Sequence, residues 1–315
     1  MKPFPNLILN SSPVILLAIL SIACGEMSEA PDKPIKNAST QAKELAARPE
    51  VKTESTSQAS GDYTYSWMTD ASNNAILADR IPAPKGFTRV KAKKGSFAGW
   101  LRELPVKPEG ARVKLFDLSM KWNQRAQHTV VDLDVDPVDL QQCADAVMRL
   151  KAEYHYSKKE FNKIHFNFTS GDKVAFDDWI NGKRPKVSGN KVSFVNTGKK
   201  GTDYKNFRKY LIQIFSYAGT ASLTKELKKV KMEDIAAGDV FIKGGFPGHA
   251  VIVLDVVESE SGEKKFLIGQ SYMPAQDFHV LKNPNSRDPW YSNQINGQLE
   301  TPEWTFELGD LKRFY

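Results

Sequence analysis

The sequence predicts an α+β fold with a mainly antiparallel sheet and packed helices, and three observations carry that prediction. The strongest helical spacing of apolar residues lies before residue 232, and the clearest strands lie after it, so helices and strands are segregated along the chain and do not alternate. Residues 238–281, GDVFIKGGFPGHAVIVLDVVESESGEKKFLIGQSYMPAQDFHVL, then spell a hairpin. In it, 239–243 reads as a short apolar strand, GGFPG as a turn, 249–257 as a β-branched strand, and the polar 258–264 with Gly262 as the reversal into a strand over 265–271. The run AVIVLDVV is apolar almost throughout, which predicts a strand covered on both faces and central in its sheet. His249 stands at the mouth of that strand.

The start of the chain has a different character. Lys2, an apolar run over 14–23 and then Cys24 form an export signal, too short for a spanning helix and followed by a polar stretch. Residues 20–24, LSIAC, resemble a bacterial lipoprotein signal, in which Cys24 is lipidated and becomes the new N-terminus; Ser21 and Ala23 equally satisfy an ordinary signal-peptidase site. The lipoprotein reading predicts an exported, membrane-anchored protein of the cell envelope, on the periplasmic or outer-membrane side. Residues 25–62 hold almost no large apolar side chain and read as a flexible tether. Residues 63–315 are then one α+β domain with ample length for a core.

The formal net charge of +7 concentrates in short lysine clusters at 91–94, 199–200 and 225–231. Export and the lack of a recognition motif exclude nucleic acid as the partner, leaving solvated helix faces or an anionic envelope polymer. The chain has two cysteines, Cys24 and Cys143, so a disulfide scaffold is excluded and Cys143 is either an inert core thiol or chemically used.

In order, Ser96 caps a short helix through Leu104, and ARVKLFDL and HTVVDLDV read as strands. A long helix is predicted next, capped by Asp136 with Pro137 in its first turn, and carrying Leu140, Cys143, Val147, Leu150 and Tyr154 on one face. KIHFNFTSG reads as a strand, DKVAFDDWING as a short helix and NKVSFVNT as a strand. Thr202 caps a strong helix that ends at Gly219, and another begins at Thr220 or Ser222. After the hairpin, FHVLKN and PEWTFELGDLKRFY dock the tail on the domain.

A thiol near a helix start is favoured as thiolate by the backbone amides there, and a histidine across a cleft can take its proton. That makes Cys143 a candidate nucleophile and His249 its base, with a third polar side chain holding the imidazole. Gln270 on the next strand is the candidate for that role, although a turn near Ser261 and Gly262 sets His249 opposite Pro274 and leaves Gln270 two pairs down the same face. A shifted register brings Gln270 to the imidazole, and otherwise Gln276 or Asp277 in the following loop lies closer for that role; both, with Tyr272, are candidate binding residues at the same mouth. His128, His155, His165 and His279 are scattered without HExxH or paired-cysteine spacing, so no metal is expected, and no phosphate loop or dinucleotide fingerprint calls for a cofactor.

Cysteine on a helix, then Gly238-Asp239-Val240 and a histidine opening a strand, resembles the NlpC-type branch of the papain-like superfamily. Those are cell-wall peptidases and amidases, so the resemblance implies a papain-like fold, hydrolysis of amide bonds and peptidoglycan peptides as substrates. Gln142, Ala144 and Asp145 depart from the Asp before and Ser-Gly after the cysteine that such enzymes show. GFPGHAVIVLDV, QSYMPAQDFHVLKNP, MRLKAEYHY and FSYAGTASL are similar to segments of a bacterial envelope family known as domain of unknown function 4846, over about residues 74–315. That family has no established activity. A non-catalytic envelope lipoprotein that binds a glycan, peptide or protein partner through the same cleft is the competing expectation.

Overall fold

The structure is a computed structural model that describes residues 63–68 and 75–315. The expected export signal, Cys24 and the tether lie outside the described residues. The elements are α1 (Leu77–Arg80), β1 (Phe87–Arg89), α2 (Phe97–Arg102), β2 (Gln127–Val130), α3 (Cys143–Ser157), β3 (His165–Asn167), β4 (Lys173–Ala175) and α4 (Phe176–Ile180). There follow β5 (Lys183–Ser188), β6 (Lys191–Asn196), α5 (Tyr204–Tyr217), α6 (Thr220–Glu226), β7 (Lys228–Lys229), β8 (Val240–Lys243), β9 (His249–Ser259) and β10 (Lys264–Gln270). The chain closes with β11 (His279–Leu281), β12 (Tyr291–Ser292), β13 (Gln298–Glu300), β14 (Thr305–Glu307) and β15 (Leu311–Arg313).

Nine strands form one antiparallel sheet in the order β2-β11-β10-β9-β8-β15-β7, with β1 added to β9 and β12 to β10. The α+β class is therefore as the sequence predicts. β9 is central, and its first nine residues are all buried. Ala250, Ile252 and Leu254 join the core packed by the helices, while Val251 and Val253 join Phe241, Phe266 and Phe306 on the other face. Beyond Leu254 the parity reverses, with Val256 on the second face and Val257 on the first. An extra residue in the β9–β10 ladder explains the reversal: Leu267 pairs with Asp255 but Ile268 pairs with Val253. Asp255 is held at this bulge by Arg89 at 2.8 Å and Arg102 at 2.7 Å, which ties β1 and α2 to the central strand.

Two local expectations are corrected. The helix expected from Asp136 begins at Cys143, because Asp136 is engaged by Arg208 and Asp139 accepts the Ala275 amide at 2.6 Å, so 136–142 lies against another segment instead of coiling. Gln142 is the N-cap residue, and Asp145 accepts its amide at 3.0 Å. ARVKLFDL makes only isolated bridges, Lys114 to Met120 and Leu115 to Gln276, since the chain turns back at Leu118, whose φ is 70°. Elsewhere the caps are close to expectation: Ser96 accepts the Gly99 amide at 3.2 Å, and Asp203, one residue past Thr202, accepts that of Asn206 at 2.9 Å.

Candidate functional site

The late start of α3 makes Cys143 its first residue, and the loop after β10 seats that end of the helix. Ser271 Oγ donates to the carbonyls of Gln141 and Gln276, each at 3.0 Å. Opposite, GGFPG delivers His249. Gly248 sits so close to its surroundings that a Cβ there would meet Gly245 O at 2.5 Å and Lys243 O at 2.8 Å, so the turn needs glycine for close approach.

The bulge decides what His249 meets. Without it the opening pairs of the hairpin, Lys264 with Glu258 onward, would run on to put Gln270 beside Ile252, on the face opposite the imidazole. With it, Gly269 pairs with Ile252, so Gln270 comes level with Val251 and shares the His249 face. His249 Nε2 and Gln270 Oε1 are 2.8 Å apart. The same register sets His249 level with Tyr272, whose ring lies 4.7 Å from the imidazole and replaces the expected Pro274. Trp304 at 5.3 Å and Phe306 at 5.8 Å complete the aromatic surround.

The Cys143 thiol meets the same corner of the sheet. The backbone amides of Ala144, Ala250 and Cys143 act on it in the direction of thiolate, and Ala250 is next in the chain to His249. These amides favour thiolate, but burial, with the Asp145 carboxylate second, outweighs them and pushes the thiol up to about 11. Burial also holds the His249 imidazole down to about 4 despite Gln270. The resting pair is thus a neutral thiol and a neutral imidazole, not the thiolate expected at a helix start. Burial, and then the charge of Glu303, raises the Tyr272 hydroxyl, whose ring packs on the imidazole.

Behind the imidazole the network continues. Gln270 Nε2 donates to Glu303 Oε2 at 2.7 Å and lies 3.5 Å from His279 Nε2. Glu303 also accepts from Lys121 Nζ at 2.5 Å and Asn123 Nδ2 at 3.1 Å. Sequence reasoning missed Glu303, Lys121 and His279; a histidine between the apolar residues of FHVL was the one available signal. Asp277 is engaged elsewhere, accepting from Lys107 Nζ and the Lys114 amide, both at 2.9 Å, and Gln276 is buried with its Oε1 unpartnered. Of the three candidate binding residues, the structure brings Tyr272 to the imidazole.

Size does not mark this site. A cavity of about 450 Å³ opens further along α3, between Lys151, His155, His165, Glu226 and Phe314, and none of the cluster residues lines it. Among the described residues, no group of three or more His, Cys, Asp or Glu is placed to hold a metal ion, and no helix is long and apolar enough to cross a membrane.

The family model described as "Domain of unknown function (4846)" matches residues 77–313. The chain belongs to this family. In this member, Cys143, His249, Gln270 and Glu303 all fall inside the matched span. Comparison with curated proteins and with solved structures finds no match.

Proposed function

We propose that this member of the domain of unknown function 4846 family is a papain-like cysteine hydrolase of amide bonds. One observation carries the reading: an imidazole held through Nε2 by Gln270 at 2.8 Å begins the strand whose next amide, that of Ala250, acts on a thiol at a helix start. His249 Nδ1 takes the Cys143 proton as the sulfur attacks a carbonyl carbon, because a thiol pushed up to about 11 gives little free thiolate at neutral pH. As the sulfur moves onto the carbonyl carbon, the tetrahedral oxyanion meets the Cys143 and Ala144 amides at the start of α3. The intermediate collapses with loss of the amine, which takes the proton from His249, and water then hydrolyses the thioester. Tyr272 borders the acyl group.

The same reading has the protein exported, lipidated at Cys24 and tethered in the envelope, with peptidoglycan peptides as the substrate class. Labelled palmitate incorporated by wild type and lost in Cys24→Ser tests the anchor. For the chemistry, soluble muropeptides are incubated with wild type and Cys143→Ala; loss of turnover in the variant is expected, and equal turnover removes the mechanism. A second reading, a non-catalytic envelope lipoprotein that binds a glycan, peptide or protein partner through this cleft, is favoured by the burial of both groups, Cys143 at 7 % and His249 at 2 % exposure. Ligand binding that survives replacement of both residues, without turnover by wild type, would establish it.

A further inference from the structure

Gln270 can orient His249 only if its amide faces one way, and a free glutamine side chain has no such preference. Two neighbours remove the ambiguity. Glu303 carries a carboxylate that three donors approach, Lys121, Asn123 and Gln270 Nε2, so it stands there as an acceptor. His279 supplies the second constraint. Its Nδ1 lies 2.9 Å from the carbonyl of Asp277, which only accepts, so Nδ1 carries the proton and Nε2 is left bare, 3.5 Å from Gln270 Nε2. Both hydrogens of the Gln270 amide are thereby drawn toward acceptors, and its oxygen is turned to His249. The His249 nitrogen 2.8 Å from that oxygen must then be an N–H, and the other ring nitrogen is unprotonated.

We propose that Glu303 and His279 are positioning residues that fix the His249 tautomer through the Gln270 amide, making Nδ1 the proton acceptor. The inference rests on the cysteine hydrolase reading for its purpose but not for its test. Lys121, 4 % exposed at its side chain, pairs with Glu303 at 2.5 Å. The polarity runs in one direction from the Asp277 carbonyl, through His279 and Gln270, to His249.

The test is ¹⁵N NMR of the His249 ring in the full chain at pH 7.5, in wild type, Glu303→Gln, and the charge-balanced pair Lys121→Met with Glu303→Leu, which keeps the assay usable if the single variant fails to fold. The proposal expects the Nε2–H tautomer in wild type and at least about half Nδ1–H in a folded variant, with rescue toward wild type in Glu303→Asp. Retention of Nε2–H in the folded variants overturns it. Alkylation of Cys143 by iodoacetamide, measured in parallel, reads the hydrolase proposal separately. A rate about tenfold slower in the tautomer-shifted variants supports the linkage of the two. A wild-type rate equal to that of His249→Ala sinks the cysteine–histidine reading while leaving the tautomer result to stand.

Discussion

Within three turns after Cys143 on α3, Arg149 and Glu153 are as deeply buried as His249, yet that region is built from charges. Arg149 contacts Asp134 and Glu153, Arg208 reaches Asp134 and Asp136, and Tyr204 donates to Glu153 at 2.7 Å. Around Cys143, by contrast, thiol, imidazole and amide are neutral, and the ion pair of Lys121 with Glu303 lies behind the amide. Charges buried in pairs lock elements together, here α3, α5 and the segment before α3, because removing one partner strands the other. Neutral groups in a hydrogen-bonded row cost less to disturb and keep a proton that can be moved. The contrast separates a part of the helix that holds the fold from a part free to do chemistry.

The largest break in that contrast is expected at Arg149. Arg149→Met leaves the fully buried Glu153 without its cation and should cost about 3–5 kcal/mol in urea unfolding; a loss below about 1 kcal/mol would deny the network its structural role. Acid comes next. His249 and His279 are held down to about 4 and about 3 by burial, so below the unfolded value near 6.5 the unfolded chain binds protons that the folded chain does not. The stability they contribute is complete above about pH 6.5 and is lost as pH falls toward 4, by about 3 kcal/mol or more, read from urea midpoints across that range. His279→Phe should flatten part of this slope.

Gly248→Ala forces a methyl against two carbonyl oxygens of its own turn and should cost about 2 kcal/mol while displacing His249, visible as a shifted imidazole resonance. Smallest is Cys143→Ala, expected to change stability by about 1 kcal/mol, because it removes one small atom from a buried position and no charge. Far-UV circular dichroism and urea midpoints close to wild type check it. The thiol itself sharpens the comparison: with its pKa pushed up to about 11, its unassisted alkylation in His249→Ala should keep rising with pH beyond 9, where an exposed thiol has levelled off.

The hairpin was legible because β-branched residues, a glycine-rich turn and Gly262 mark its strands and reversals. His249 and Gln270 were legible for the same reason, since each sits at the end of a strand that the pattern announces, whereas the pattern put Cys143 on the right helix but not at its first residue. The bulge at Leu254 was not: the periodicity of AVIVLDVV hides an added residue, and Asp255 inside an apolar run was its one trace. Glu303 is one acidic side chain among 37 and lies 33 residues from its Gln270 partner, so no local pattern marks it. The thiol's ionisation was misjudged because helix position is local and visible, whereas burial is set by distant segments such as 271–276. The start of α3 was misplaced likewise, as Asp136 and Asp139 are drawn to Arg208 and Ala275.

The central claim is that Cys143 and His249 act as one reacting unit, and covalent trapping tests it most directly. A peptide carrying an acyl electrophile is incubated with the full chain at pH 7.5, and the modified residue is identified by mass spectrometry in wild type and His249→Ala. A Cys143 adduct whose rate of formation falls by about a hundredfold or more in the variant is the predicted result. An adduct formed equally fast without the imidazole, or found only on unfolded protein, would contradict it.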